Sequence, residues 1–123
     1  MAQKYIIGDI VMYKNRIHTI IDILASNGYE LSYVRHPVSP VRLSGVPLTS
    51  EILEKNGWKH KKEFGEYWFV PRNEDYELLA LDKVGEEWTI YIEENSSNFE
   101  NIKFVHQLQH LLFGLGLNSE MDV

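Results

Sequence analysis

Short β-type segments occur in two groups along this chain, and one helical segment follows each group. The first group is rich in β-branched and aromatic residues and covers residues 9–13, 17–23 and 29–34. The second group covers residues 67–70, 76–81 and 88–92. A further strand over residues 38–43 would be short or at an edge, because Pro37 and Pro40 cannot donate to a sheet ladder. Strands grouped in this way, without alternation of β and α segments, favour antiparallel sheets and an α+β fold.

Two segments have the period and the end signals of helices. Residues 48–57 begin with the candidate N-caps Thr49 and Ser50 and end at Asn56-Gly57, where glycine can take the left-handed conformation that terminates helices. Residues 102–115 are amphipathic at about 100° per residue. Their apolar arc contains Phe104, Val105, Leu108, Leu111, Leu112 and Leu115. Their polar arc contains Lys103, His106, Gln107, Gln109 and His110, and also Phe113.

The length of 123 residues predicts a single α+β domain. Residues 1–47 are expected to form a curled, SH3-like antiparallel meander, and residues 48–58 a short helix. Residues 63–94 are expected to form antiparallel strands, and residues 102–116 a C-terminal helix. We expect this last helix to cover the second sheet with its apolar arc.

Composition excludes several classes of protein. The chain has no cysteine, so it has no disulfide, no thiolate nucleophile and no cysteine-based zinc site. No window approaches the roughly 20 apolar residues of a transmembrane helix, and residues 1–9 lack the apolar core of a secretory signal. We therefore expect a cytoplasmic protein that does not bind membranes. The net charge of −6 divides into +4 for residues 1–62, with nine basic and five acidic side chains, and −10 for residues 63–123, with three and thirteen.

A basic and aromatic cluster is the first candidate binding site. Its candidate ligand-binding residues are Trp58, Lys59, Lys61, Lys62 and Trp68. Cations beside flat rings are what a nucleotide or another small anion requires. The alternative is a solvated, charged connector beside core aromatic residues. General nucleic-acid binding is not expected, because the basic run is short and the whole chain is acidic.

The C-terminal helix contains the second candidate site. His106 and His110 have the i, i+4 spacing of two helical zinc ligands, but the sequence His-Gln-Leu-Gln-His lacks the glutamate that follows the first histidine in zinc proteases. We therefore predict no metal, and the favoured interpretation places both histidines on the solvated or sheet-rim side of the helix. His106, Gln109 and His110 remain candidate ligand-binding residues, which either bond neighbouring backbone or line a pocket. Phe113 either forms a patch for a partner or a second copy, or is covered by another element.

Two segments resemble a known family. The sequence VPLTSEILEKNGW at residues 46–58 is similar to the (I/V)PLT–E–(I)L–NGF segment of small uncharacterised proteins from Bacteroidota and their phages or prophages, and FVHQLQHLL at residues 104–112 is similar to their YVHxLQ helix. Residues 7–11 resemble the VGDWV start of that family, with Ile10 in place of tryptophan. The resemblance implies a mobile-element accessory protein of the bacterial cytoplasm. It provides no catalytic residues.

These observations favour a non-catalytic binding module over an enzyme. We expect it to bind a host protein or to sequester a small anionic, nucleotide-like ligand, without a cofactor. The acidic side chains of the second half select no catalytic pair, and phosphate-loop and GxSxG motifs are missing from the sequence. The alternatives are a phage structural or assembly protein, built as an oligomer through the Phe113 side, and a small hydrolase with a His/Glu site.

Overall fold

The fold is known from a computed structural model, which describes residues 5–25, 28–61, 65–71, 77–92 and 101–123. The strands of the described residues are β1 (Ile10–Tyr13), β2 (Arg16–Ile23), β3 (Tyr29–Leu31), β4 (Ser44–Gly45), β5 (Lys59–His60), β6 (Tyr67–Pro71), β7 (Glu77–Val84) and β8 (Glu87–Ile92). The α-helices are α1 (Ser50–Lys55) and α2 (Val105–Gly114), and Pro40–Arg42 form a 3₁₀ turn. Every strand pairing is antiparallel, within one sheet of order β3-β2-β1-β4 and another of order β5-β6-β7-β8. The predicted α+β class is confirmed.

The chain forms two compact units. Unit 1 comprises Met1–Pro47 and Phe104–Met121, and unit 2 comprises Leu48–Lys103 and Asp122–Val123. The predicted segment boundaries after residue 47 and before residue 102 lie close to the ends of Leu48–Lys103 in unit 2, although the sequence predicted one domain. The prediction of one domain stays a prediction, as does the SH3-like character of the first meander.

Unit 1 has its core on one face of the sheet formed by β1 to β4. Directly paired residues share a face, so Val11 and Tyr13 of β1 lie on the core face and Ile10 and Met12 on the other, where Ile10 is also buried. The core cluster contains Tyr5, Val11, Tyr13, Ile20, Tyr29, Leu31, Val38 and Leu43. A bulge in β2 between Ile20 and Asp22 keeps the paired Ile20 and Leu31 both buried.

Unit 2 has a core face and an opposite face on the sheet formed by β5 to β8. Trp68, Leu81 and Ile90 lie opposite one another across β6, β7 and β8 and are buried. The buried Leu53 of α1 belongs to the same unit. Thr49 caps α1 by accepting a hydrogen bond from the Ile52 amide at 3.3 Å, as predicted for one of its two candidate caps.

Several sequence-based boundaries are corrected. β3 ends at Leu31 instead of residue 34, because Tyr33 has a φ of +62° and leaves the extended conformation. Over residues 38–43, Val38 makes an isolated bridge to Tyr29 and the 3₁₀ turn follows, so the fourth strand is the two-residue β4. The predicted Asn27-Gly28 turn and the 71–75 link extend outside the described residues.

The predicted position of the C-terminal helix is wrong. α2 belongs to unit 1 and packs on β1, whereas the prediction placed it over the second sheet. It starts at Val105, because Ile102 pairs with Trp88 as an isolated bridge and so remains in unit 2. Leu115, predicted for the apolar arc, follows the last turn of the helix and is exposed. The amphipathic period identified a buried face without identifying the sheet that buries it.

Gly45→Ala is expected to lower the free energy of unfolding by about 1–3 kcal/mol. A Cβ atom at this position of β4 would lie 2.5 Å from Cγ and 2.6 Å from Cδ1 of Phe104, and 3.0 Å from Cε1 of His106. Urea denaturation followed by circular dichroism measures the loss. Gly114→Ala is the control, because no atom lies within 4 Å of its added Cβ. Equal stability of the two variants would contradict the close packing of β4 against the start of α2.

Candidate functional site

The structure divides the predicted ligand-binding residues between the two units. His106, Gln109 and His110 lie in unit 1, where they form a polar cluster with two residues of the N-terminal segment, Tyr5 and Asp9. The predicted residues that lie in unit 2 are Trp58, Lys59, Lys61 and Trp68. Lys62 lies outside the described residues.

Gln109 hydrogen-bonds three backbone groups in unit 1. Its side-chain oxygen accepts from the amide of Ile10 at 2.9 Å, and its side-chain nitrogen donates to the carbonyls of Gly8 and Ser119 at 3.0 and 3.1 Å. The side chain is buried. Of the two roles that the sequence left open, these contacts show the bonding to neighbouring backbone. Gln109 therefore joins α2 to the start of β1 and to the segment that follows the helix.

Asp9 and His110 form a carboxylate–imidazole pair. Nε2 of His110 lies 2.7 Å from Oδ2 of Asp9, and the same oxygen accepts the amide of Ile6 at 2.9 Å. Burial raises the pKa of Asp9, although the bonds from Ile6 and His110 act in the opposite direction. His110 is partly exposed, whereas Asp9 is fully buried. The carboxylate thus orients an imidazole that reaches the surface.

His106 is buried among aromatic rings, with only 1% of its surface exposed. It stacks on Phe104 with centroids 5.7 Å apart, and its edge contacts Tyr5 at 5.0 Å and His110 at 5.8 Å. Burial, with a smaller contribution from His110, lowers the pKa of His106 to about 4. The favoured interpretation of His106 as a solvated or rim residue is therefore wrong. The N-terminal segment packs on the arc of α2 that the amphipathic pattern assigned to solvent.

The chemistry of the Asp9–His110 pair is limited by its neighbours. A carboxylate that orients histidine is one part of a hydrolytic triad. Within the described residues, however, Asp9 is the hydrogen-bonding partner of the His110 ring, and no hydroxyl side chain bonds to it. The same residues hold no group of three histidine, aspartate or glutamate side chains arranged to bind a metal ion. The pair can position α2, and the described part of the chain places no nucleophile beside it.

In unit 2 the predicted basic and aromatic cluster is split between the two faces of a sheet. His60 pairs with Trp68 and stacks on it at 4.5 Å, on the core face. The indole nitrogen of Trp68 donates to Oγ of Ser50 at 3.1 Å. Trp58 is buried and its amide donates to the carbonyl of Leu53. The two tryptophans thus contribute to the core and to the anchoring of α1.

The opposite face of this sheet carries the lysines. Lys59 pairs with Phe69, and Phe69 pairs with Ala80, which in turn pairs with Tyr91. The ammonium of Lys61 lies 5.5 Å from the Tyr67 ring centroid and 5.2 Å from that of Phe69. We call the face formed by Lys59, Lys61, Tyr67, Phe69 and Tyr91 the lysine face. It combines cations with three half-buried rings.

Sequence reasoning missed Tyr5 and Asp9 in one unit and Phe69 and Tyr91 in the other. Asp9 is separated from His110 by 101 positions, so no local pattern connects them. The lysine face had a usable signal. A period of two over residues 59–61 would have separated Lys59 and Lys61 from His60 if this segment had been identified as a strand.

Comparison with protein-family models, with curated proteins and with solved structures finds no match for this chain. Neither α1 nor α2, the helices of the described residues, has the length and apolar character that crossing a membrane requires.

Proposed function

We propose that the protein is a non-catalytic binding module that holds a partner protein of the bacterial host on unit 1. The observation that carries this proposal is the distribution of exposed apolar side chains. Ten large hydrophobic residues of the described chain are exposed, and nine of them belong to unit 1. They are Ile6, Ile7, Ile17, Ile21, Ile23, Tyr33, Val41, Phe113 and Leu115, whereas unit 2 contributes Val84. Contiguous exposed apolar surface marks interaction sites, and the concentration of these side chains on unit 1 supports such a site there.

The use of the polar side chains supports binding over catalysis. The Gln109 side chain hydrogen-bonds three backbone groups, and His110 hydrogen-bonds the buried carboxylate of Asp9. Both residues lie in the helix that resembles the Bacteroidota and phage family, so that motif marks a fold-stabilising element. The same resemblance supports a phage- or prophage-encoded accessory protein, acting in the host cytoplasm.

Sequestration of a small anionic ligand is the second candidate function. The lysine face favours it, because Lys59 and Lys61 share that face with Tyr67, Phe69 and Tyr91. Stacking on rings together with cationic contacts suits a nucleotide. The rings also attract the Lys61 ammonium, and an anion would compete with them for it.

Native mass spectrometry tests the proposal. The tagged chain, purified from a bacterium of the Bacteroidota, is expected to carry a polypeptide of defined mass in fixed stoichiometry. The double variant Val41→Asp/Phe113→Asp is expected to lose this mass, because charge on exposed apolar contacts of unit 1 opposes burial. The control Val84→Asp places the same charge on the exposed residue of unit 2 and should retain it.

Three outcomes would contradict the proposal. The first is a bare wild-type monomer, and the second is equal retention by all variants. The third is a nucleotide mass in place of a polypeptide, which supports the second candidate. A closed oligomer of the chain alone would favour the alternative of a phage assembly protein. If Phe113→Asp converted this oligomer to a monomer, Phe113 would be identified as a contact between copies.

A further inference from the structure

The strand order of unit 1 brings the lysines and arginines of its described residues toward one end of the sheet. β1 runs toward the turn at Lys14 and Asn15, and β2 starts there. β4 begins near this end, because Ser44 pairs with Met12, and β3 runs toward this end but stops at Leu31, opposite Ile20 in the middle of β2. Lys14 and Arg16 lie at this end, Arg42 lies two residues before β4, and Arg35 follows the turn at the end of β3. We call these four residues the basic end.

The acidic residues of unit 1 lie at the other end. Asp22 pairs with Glu30 near the far ends of β2 and β3, and Asp9 precedes the first residue of β1. Glu120 follows Ser119, which Gln109 connects to Gly8 at that same far end. Residues 31–50 contain no aspartate or glutamate. The described part of unit 1 is therefore electrostatically polar along its strands.

Exposed apolar side chains accompany the basic end. Tyr33 is 100% exposed and Val41 is 87% exposed, and each is one or two residues from an arginine of the basic end. Ile17, beside Arg16, is also exposed. Apolar and cationic side chains are therefore close neighbours along the chain in these segments, a composition that favours contact with another protein.

The backbone at Tyr33 gives a second, independent observation. Its φ is +62°, a conformation that bulky residues rarely adopt. Ser32 anchors the turn, because its amide donates to the carbonyl of Thr19 at 2.9 Å and its hydroxyl accepts the amide of Thr19 at 2.9 Å. The fold therefore holds a fully exposed aromatic ring in a strained conformation, which is typical of binding positions.

We infer that the basic end binds an acidic segment of the partner protein that also carries apolar side chains; this inference rests on the proposed function. Four cations complement carboxylates, and Tyr33, Val41 and Ile17 bury apolar side chains of the same segment. A polypeptide suits this surface better than a nucleic acid. A sugar–phosphate backbone offers little for the exposed apolar side chains of Val41 and Ile17 to pack against.

Fluorescence anisotropy with a defined probe tests the inference. The probe is a labelled 16-residue peptide of four Glu-Leu-Asp-Phe repeats. Binding is expected to weaken with salt, and the double reversal Arg35→Glu/Arg42→Glu is expected to raise Kd by about tenfold or more. The control Lys59→Glu/Lys61→Glu changes the net charge by the same amount on the lysine face. It should leave Kd within about twofold if only the basic end binds the probe.

Tyr33→Gly separates recognition from folding. Glycine accepts a positive φ, so the variant should be at least as stable as the wild type in urea denaturation. Removal of the ring should nevertheless raise the probe Kd severalfold. Lower stability with unchanged Kd would overturn the recognition role of Tyr33.

The remaining outcomes separate this inference from the proposed function. No probe binding, together with retention of the host polypeptide by Arg35→Glu/Arg42→Glu, overturns the inference and leaves the proposed function standing. The inference is also overturned, and the proposed function stands, if Val41→Asp/Phe113→Asp loses the host polypeptide and Arg35→Glu/Arg42→Glu retains it. If a 16-nucleotide oligothymidylate binds more tightly than the peptide, the inference is wrong and nucleic acid is the ligand of the basic end. If the chain self-associates and the arginine variant does not, the inference is wrong and the partner of the basic end is a second copy of the chain.

Discussion

Replacement of Gln109 by leucine is expected to destabilise the protein by about 3–5 kcal/mol. Leucine fills much of the same space but leaves the buried amide of Ile10 without its acceptor, and the carbonyls of Gly8 and Ser119 lose their donor. The buried Ile10 amide left without a partner costs about 1–3 kcal/mol, and the two part-buried carbonyls add smaller losses. Urea denaturation followed by circular dichroism measures the total. Amide exchange of Ile10 should accelerate in parallel.

Gln107→Leu is the matched control for this prediction. Gln107 lies one half-turn earlier in α2, and its side-chain oxygen accepts the amide of Phe104 at 3.0 Å at the start of the helix. A helix-capping bond of this kind contributes about 1 kcal/mol. The free energy of unfolding of Gln107→Leu should therefore be clearly higher than that of Gln109→Leu. All three tryptophans lie in unit 2, so tryptophan fluorescence is a poor reporter for either variant. Equal losses in the two variants would contradict the connecting role assigned to Gln109.

Local signals were sufficient for most elements of the fold. Period-two alternation and turn residues located the six main strands, and Thr49 and Gly57 marked the ends of α1. The assignment of α2 to a sheet could not be obtained in this way. An apolar arc predicts that a helix buries one side, but its partner depends on tertiary packing over about a hundred positions. Ile102 pairs with Trp88 near the end of the main segment of unit 2. Three residues later, Val105 begins α2, which belongs to unit 1.

For the side chains of the polar cluster too, local sequence patterns did not predict the tertiary contacts. The spacing of His106 and His110 was evident in the sequence, yet their environments differ. His106 packs among rings while His110 reaches a carboxylate and the surface. This difference depends on the N-terminal segment that folds over α2, and Asp9 gave no signal of its role. The charge division of the sequence was more informative, because four of the nine basic residues of the first half form the basic end of unit 1.

Acidification from pH 6.5 to pH 4 is expected to cost the protein about 3 kcal/mol of stability through His106 alone. The pKa of this side chain is lowered from 6.5 to about 4 in the folded state. Between these values the unfolded chain binds more protons than the folded one, so stability falls as the pH falls. Asp9 acts with the opposite sign, because its pKa is raised and the folded state binds its proton more readily. Urea denaturation at intervals between pH 4 and 7 gives the slope.

His106→Leu isolates the histidine contribution to that slope. The variant retains Asp9 and His110, so the wild-type curve should fall more steeply than the variant curve by about 3 kcal/mol across this range. Val105→Ala controls for destabilisation alone, since it removes buried apolar volume next to His106 and changes no titrating group. Its curve should lie lower than that of the wild type and run parallel to it. Parallel curves for wild type and His106→Leu would mean that water or movement of the N-terminal segment solvates the imidazolium, and the buried position of His106 would then be refuted.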